Sequence, residues 1–77
     1  MQSFVEFVIQ GLVDRPDDVR VTAVQRHGMT VYEVELGEGD AGKVIGRRGA
    51  TIQAIRSLLQ VGAMKAGLRC QLDLVED

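Results

Sequence analysis

Cysteine and histidine, which often carry catalysis or zinc binding, are nearly absent from this sequence. Its 77 residues include one cysteine, Cys70, one histidine, His27, and no tryptophan. A single cysteine excludes an internal disulfide framework, and one histidine with no neighbouring cysteine lacks the ligand set of a zinc site. Cys70 falls on the apolar side of an alternating run and His27 in a turn, so we interpret both as structural. We therefore expect no enzyme activity, no metal or cofactor, and no small-molecule substrate.

Long apolar runs and leader-like segments are also missing. No stretch approaches the roughly 18 apolar residues that span a membrane, and Glu6 interrupts a first apolar run that no basic segment precedes. Together with one free thiol, this composition predicts a cytoplasmic protein that does not enter membranes. Hydrophobic residues make up 45% of the chain, which suits one small folded domain, and we expect residues 1–77 to form it.

The net charge of −2 hides a segregation of charge along the chain. Residues 1–40 hold eight acidic and three basic residues, whereas residues 41–72 hold no acidic residue and six basic ones: Lys43, Arg47, Arg48, Arg56, Lys65 and Arg69. Such a block creates a local positive field that attracts anions. A solvated helix with outward-facing bases explains the charges equally well, so charge alone assigns no function.

The first half of the chain predicts a helix followed by a β-hairpin. Apolar residues share one helical face over residues 3–14, which Ser3 and Glu6 begin with the spacing of a capping box. Spacing assigns both phenylalanines, Phe4 and Phe7, to the core of this helix. Residues 19–26 and 29–36 alternate between apolar and polar, which indicates two strands, and His27-Gly28 indicates a tight turn between them. One face of the hairpin should be exposed to water.

The second half predicts a short helix, a long helix and a third strand. Asp40 has the position of a side-chain cap for a short helix that ends at Gly46. The long helix begins after Gly49, with apolar residues every three to four positions: Ile52, Ile55, Leu59, Ala63 and Ala66. Residues 69–75 alternate again, with Cys70, Leu72 and Leu74 facing inward. The order α-β-β-α-α-β predicts an α+β fold in which helices pack on one face of a three-stranded sheet.

Two nucleotide-binding patterns overlap in the stretch G-E-G-D-A-G-K-V (residues 37–44), namely G-x-G-x-x-G and G-x-x-x-x-G-K. The dinucleotide pattern needs an acid about 20 residues further on, but none lies between Asp40 and Asp73. The triphosphate pattern needs Ser or Thr after its lysine to hold magnesium, where this chain has Val44. We reject both and interpret the stretch as a strand-to-helix turn.

A third glycine motif, V-I-G-R-R-G (residues 44–49), lies between the two predicted helices and is cationic. Glycine at both ends lets the backbone bend sharply and lets an anion approach the main chain. The first N–H groups of the following helix add partial positive charge. A phosphodiester backbone fits these features, although G-x-x-G occurs often by chance and a solvated corner between helices is the alternative.

With this element order, the words V-I-G-R-R-G-A-T-I-Q-A-I-R (residues 44–56) resemble a KH domain of the type II, prokaryotic arrangement. The segment L-V-D-R-P-D-D-V (residues 12–19) and the ending after the third strand resemble the small bacterial single-KH proteins of the KhpA family. The resemblance covers nearly the whole chain. It places the core with the G-x-x-G loop at about residues 29–77, after an N-terminal helix at about residues 3–14.

The resemblance implies binding of single-stranded RNA, about four nucleotides at a time, with the G-x-x-G loop clamping the backbone. Gly46 and Gly49 would frame the clamp, and Arg47 and Arg48 would contact phosphates. The basic residues Lys43 and Arg56 would flank the groove on either side. The short helix would back this groove, and the second hairpin strand would form its other wall. The implied RNA-binding residues are Lys43, Val44, Ile45, Gly46, Arg47, Arg48, Gly49 and Arg56.

The resemblance further implies an RNA chaperone or post-transcriptional regulator in the cytoplasm, linked to cell shape and peptidoglycan homeostasis, which forms a homodimer or pairs with a second KH protein. Aromatic residues make up only 4% of the chain, so few side chains can stack on nucleobases. One domain should therefore bind RNA weakly and with little sequence preference. Contacts from Arg47, Arg48 and one further base would give a salt slope of about −2. The alternative hypothesis is a protein–protein adaptor whose loop has lost its ligand.

Overall fold

The computed structural model describes residues 1–75. Its elements are helix α1 (Gln2–Leu12), strands β1 (Arg20–Arg26) and β2 (Met29–Glu35), helices α2 (Ala41–Ile45) and α3 (Ala50–Lys65), and strand β3 (Cys70–Leu74). Short 3₁₀ turns occupy Pro16–Asp18 and Arg47–Gly49. The predicted α+β class and the order α-β-β-α-α-β are confirmed.

The sheet has the order β1-β2-β3, with β1 and β2 antiparallel and β2 and β3 parallel. His27 and Gly28 connect the first two strands with φ angles of 52° and 76°, as a two-residue hairpin turn of matching twist requires. The parallel pair needs a long crossover connection, which α2 and α3 provide. Strand β2 is therefore central, and β1 and β3 are the edges.

All three helices pack on one face of this sheet, with α1 against β1 and α3 against β3. Every helix and strand contributes to one apolar core, which buries most of the predicted inward positions of the long helix and of the third strand, whereas Leu74 is only half-buried. The core residues are Val5, Ile9, Val21, Tyr32, Val34, Val44, Ile52, Ile55, Leu59, Ala63, Cys70 and Leu72. Ala66 is exposed, because α3 ends at Lys65.

Two predicted side-chain caps do not form. Met1 occupies the N-cap position of α1, and Ser3 lies inside the helix. Asp40 does stand at the N-cap of α2, but its carboxylate makes no capping hydrogen bond. Its two oxygens instead accept the backbone N–H groups of Asp14 at 3.3 Å and Arg15 at 3.0 Å. Asp40 therefore makes a tertiary contact with the connection between α1 and β1 in place of the predicted helix cap.

One residue of α1 and one residue of the sheet differ in burial from the sequence prediction. Phe7, assigned to the core, is 78% exposed, because Val5 and Ile9 face the sheet and residue 7 points to the opposite side of the helix. On the outer sheet face, Val31 is buried although it lies outside the core. It pairs directly across the strands with Val24, so an apolar pair interrupts the exposed face.

Candidate nucleic-acid interface

The corner between α2 and α3 turns through residues with positive φ. Gly46 has φ 75° and ψ 178°, Arg48 has φ 55° and ψ 27°, and Gly49 has φ 75° and ψ 12°. The Gly46 conformation is accessible almost only to glycine. A Cβ added at Gly46 would overlap the side chain of Thr51 and lie 3.0 Å from its backbone nitrogen. The first glycine of the motif is therefore required by packing as well as by backbone conformation.

The other side of the corner is open to solvent. A Cβ added at Gly49 would meet nothing within 4 Å, so a ligand can approach the main chain there. Arg47 and Arg48 are exposed, and within residues 1–75 neither forms an ion pair. The first turn of α3 has no side-chain cap and no acidic residue, so its N–H groups add positive potential beside the two guanidinium groups.

Lys43, predicted to flank the site, is engaged with two carboxylates. Its Nζ lies 3.2 Å from Oδ2 of Asp14 and 3.8 Å from Oδ1 of the buried Asp40. These contacts fasten α2 to the connection between α1 and β1. They also compensate the lysine charge, which leaves Arg47 and Arg48 as the exposed cations without a carboxylate partner in the described loop.

The predicted backing residues of the short helix have different positions. Val44 is fully buried in the core and anchors α2 to the sheet. Ile45 is half-buried and packs against the edge of that core. Ile45 therefore retains apolar surface next to the loop, whereas Val44 acts through the position of the helix.

Arg56 lies on the flank of α3 that faces the sheet edge. Its Nε donates a hydrogen bond to the carbonyl oxygen of Leu72 on β3 at 3.2 Å. Strand β2, which the sequence suggested as the second wall, is paired on both sides and has no free backbone edge. The free strand edge beside α3 belongs to β3, so the groove is bounded by α3 and β3.

Sequence reasoning missed one polar residue of this groove, Gln60. It lines a small cavity between α3 and β3 together with Arg56. The spacing of Arg56 and Gln60, i and i+4 on one helix, was a usable signal for Gln60. Gln71 of β3 also borders this cavity, but its Nε2 donates a hydrogen bond to Oδ1 of Asp73, because alternation along the strand places both side chains on the outer sheet face.

Cys70 and His27, the two residues with catalytic potential, are in different surroundings. Cys70 is buried against Tyr32, and His27 is exposed in the hairpin turn. Burial raises the pKa of the Tyr32 hydroxyl, and the neighbouring thiol of Cys70 adds to the rise. Among residues 1–75, no three His, Cys, Asp or Glu side chains are grouped so that they could hold a metal ion. None of the helices within residues 1–75 has the length and hydrophobicity of a membrane span.

The sheet order and the G-x-x-G corner between two helices are those of a type II KH domain. A family model for the KhpA/KhpB KH domain matches residues 2–74. The RNA-binding protein KhpA of Chlamydia pneumoniae is 40% identical over 77 residues, which cover 100% of this chain and 99% of the relative. That of Leifsonia xyli is 46% identical over 70 residues, 91% and 90% of the two chains. No solved structure shows significant similarity. The chain belongs to the KhpA/KhpB KH-domain family.

Proposed function

We propose that this protein binds single-stranded RNA and clamps the RNA backbone at the loop of residues 46–49. The relatives are named RNA-binding proteins. The observation that carries the proposal is the exposure of the two loop arginines. Arg47 and Arg48 are exposed and have no ion-pair partner within the described chain. They flank a main chain that an anion can approach.

The proposed clamp combines backbone and side-chain donors. The guanidinium groups bind phosphate oxygens through charge-assisted hydrogen bonds, which Arg48 can make in pairs. Gly49 leaves space for a phosphate against the main chain, and Gly46 holds the corner against Thr51. Ile45 supplies apolar contact to a base or sugar, whereas Lys43 and Val44 hold α2 in position.

Arg56 is proposed to extend the clamp along the groove. Within residues 1–75 only its Nε is engaged, with the Leu72 carbonyl, and a guanidinium group has further N–H donors. The bond to β3 directs those donors along the groove between α3 and β3. A strand of RNA gripped at the loop would then pass Arg56 as it follows the helix.

At the level of the cell, we propose RNA chaperone or post-transcriptional work in the cytoplasm, without catalysis and with an effect on cell shape and peptidoglycan homeostasis. The buried position of Cys70 supports a packing role for that residue rather than a catalytic one. A KH unit formed by residues 1–77 reaches few nucleotides, so a homodimer or a partner KH protein would raise affinity through avidity. The family description names two proteins, KhpA and KhpB, which fits such a partner.

The alternative function is a protein–protein adaptor, and one observation favours it. Phe7 on α1 and Leu58 and Val61 on α3 are large apolar side chains that remain exposed. Leu58 and Val61 are spaced i, i+3 and so share one face of α3, and exposed apolar side chains that lie together mark protein contacts. An adaptor of this kind needs the helical surface but not the loop arginines, so the two functions respond differently to loop mutations.

The test reverses the charge of the loop. Arg47→Asp/Arg48→Asp should lower affinity for a fluorescein-labelled octauridylate at least tenfold in anisotropy titrations, because phosphate contacts are replaced by repulsion. Both side chains are exposed, so thermal unfolding should shift little. Arg20→Asp/Lys65→Asp makes the same change of net charge at exposed sites outside the loop, and its affinity should stay within about twofold of the parent. Equal binding by the loop variant and this control would refute the clamp.

A further inference from the structure

Three of the four sulfur-containing side chains of this protein line one cavity. The chain has three methionines and one cysteine, and Met29, Met64 and Cys70 are among the residues that line a cavity of about 230 Å³. Met1 packs against Gly62 and the core instead. The three sulfur side chains at the cavity belong to three different elements, so no spacing in the sequence marks them as a group.

The connection between α3 and β3 brings these residues to one end of the sheet. Met29 and Cys70 are the first residues of the neighbouring strands β2 and β3. The parallel register pairs Thr30 with Cys70, so Met29 and Cys70 are one step out of register on strands that lie about 4.8 Å apart. Met64 lies in the last turn of α3, from which the chain returns directly to β3. The end of the helix and the starts of both strands therefore meet at the cavity.

Burial distinguishes Met29 and Met64 from methionines that fill a core. Met64 is 78% exposed and Met29 is half-buried, and neither belongs to the apolar core or packs against it. Cys70 is a free cysteine that is only 8% exposed, and it forms part of the cavity floor. Because methionine is unbranched and flexible, the two thioethers can close over a small ligand that enters from solvent and reaches the thiol.

The chemistry of this lining selects soft metal ions. Thiolate and thioether sulfur bind Cu(I) and related soft ions, whereas magnesium and calcium need oxygen ligands. Among residues 1–75, no carboxylate or imidazole group lines the cavity, where the polar side chains are Gln60 and Arg69. A guanidinium group has no acceptor, and an amide oxygen suits hard ions better than soft ones. A group of His, Cys, Asp and Glu side chains, which the same residues lack, is not what a soft ion requires.

Charge balance favours a monovalent ion. On binding, the S–H bond of Cys70 breaks, a bond from its sulfur to the metal forms, and the proton passes to water. One thiolate and two neutral thioethers then form a neutral complex with an ion of charge +1, which can lie beside the Arg69 guanidinium without repulsion. A divalent ion with the same ligands would leave one positive charge next to that guanidinium group.

We propose that Met29, Met64 and Cys70 form a three-coordinate site for one soft monovalent metal ion, with Cu(I) as the ion expected in a cell. The bound ion would hold the end of α3 to the starts of β2 and β3. This inference does not depend on the proposed RNA binding, because the arginines of the loop take no part in the site.

The direct test uses the methionine methyl groups as reporters. In an anaerobic ¹H–¹³C spectrum, one equivalent of Cu(I) should shift the ε-methyl signals of Met29 and Met64 together, because coordination withdraws electron density from the thioether sulfur. Met1 does not line the cavity, and its signal should stay in place as the internal control. Zn²⁺ at the same concentration should leave all three signals unchanged. Signals of Met29 and Met64 that stay fixed with Cu(I) would overturn the proposal.

A variant with the same number of sulfur atoms tests the geometry. Met29→Leu/Leu58→Met keeps three methionines but moves one from the cavity to an exposed position elsewhere on α3. In competition with the chelator bicinchoninate, this variant should lose at least tenfold in Cu(I) affinity, because one ligand is missing. Leu58→Met alone should bind like the parent. Equal affinity of the relocated variant and the parent would show that Met29 is not a ligand and would overturn the proposal.

The loop variant separates failure of this inference from failure of the proposed function. Arg47→Asp/Arg48→Asp should lose RNA binding and keep the Cu(I) affinity of the parent. If the loop variant loses RNA and Cu(I) shifts no methionine signal in the parent, the clamp stands and the metal site falls. If Cu(I) shifts Met29 and Met64 while the loop variant binds RNA like the parent, the metal site stands and the clamp falls. Sedimentation that shows one ion shared by two chains would assign the ion to a bridge between molecules and would overturn the site.

Discussion

Gly46 and Gly49 occupy similar positions in the motif, yet the structure gives them different reasons for being glycine. Gly46 combines a glycine-only conformation with an overlap against Thr51, whereas Gly49 has only a left-handed conformation in open space. We expect Gly46→Ala to lower the free energy of unfolding by about 2–5 kcal/mol, from backbone strain plus steric overlap. Gly49→Ala should cost about 1–2 kcal/mol. Urea unfolding followed by circular dichroism measures both, and equal losses would contradict the packing role of Gly46.

Tyr32 is the only tyrosine, and no tryptophan is present, so its ionisation can be followed directly. Burial raises its pKa above the ordinary value near 10, and the Cys70 thiol contributes to the rise. The neutral phenol therefore stabilises the native state at pH values below about 10, and this contribution is lost as the pH rises through the native pKa. Absorbance at 295 nm should show a higher midpoint in native protein than in urea. Coincident midpoints would contradict the prediction, and Tyr32→Phe should abolish the transition.

Among the elements, the two edge strands are each tied to a helix by one side chain. Gln2 of α1 donates from Nε2 to the carbonyl of Val21 on β1 at 3.0 Å, and Arg56 of α3 donates to Leu72 on β3 at 3.2 Å. Exposed strand edges invite pairing with other chains, and side chains that cover them oppose it. The helices therefore do more than bury the sheet, because they also occupy backbone acceptors at both edges.

The connection between α1 and β1 depends on Asp40, which lies in a distant part of the chain. Its buried carboxylate accepts two backbone N–H groups, from Asp14 and Arg15. Asp40→Asn replaces one acceptor by an NH₂ group that faces a donor, and we expect a loss of about 1–3 kcal/mol in the free energy of unfolding. Asp17→Asn at an exposed position is the matched control and should change it by less than about 0.5 kcal/mol. Chemical unfolding compares the two, and equal values would show that the Asp40 contacts are dispensable.

The elements themselves were predictable because their signals are local. Apolar periodicity located the helices and strands, and the turn at residues 27–28 followed from its residue types. The errors at Ser3 and Phe7 concern where α1 begins and which of its sides faces the sheet. The error at the Asp40 cap arose because its partners lie far away in sequence, more than 20 positions earlier. The ion pair of Lys43 with Asp14 and the choice of the edge strand were equally out of reach of a local pattern.

For the molecule as a whole, the charge pattern reconciles an acidic protein with a polyanionic ligand. The isoelectric point is near 5.3, so long-range forces oppose RNA and binding depends on local cations. Ion pairs engage Lys43, Arg15 and Arg26 within the described residues. The segregation seen in the sequence therefore overstates the positive charge available to RNA. Lys43, the first basic residue of the acid-free segment 41–72, is compensated by Asp14 and Asp40 from the acidic segment 1–40.

The salt dependence of RNA binding should reveal which basic side chains contact phosphates. For single strands, log affinity changes with log salt by about −0.7 per neutralised phosphate, so contacts from Arg47, Arg48 and Arg56 predict a slope of about −2. Arg48→Gln should reduce its magnitude by about 0.7. Lys43→Gln should leave the slope unchanged, because its carboxylate partners already compensate the charge. Anisotropy titrations of octauridylate at several salt concentrations measure these slopes. A reduction by Lys43→Gln as large as that by Arg48→Gln would show that RNA displaces the carboxylates, and a flat parent slope would favour the adaptor.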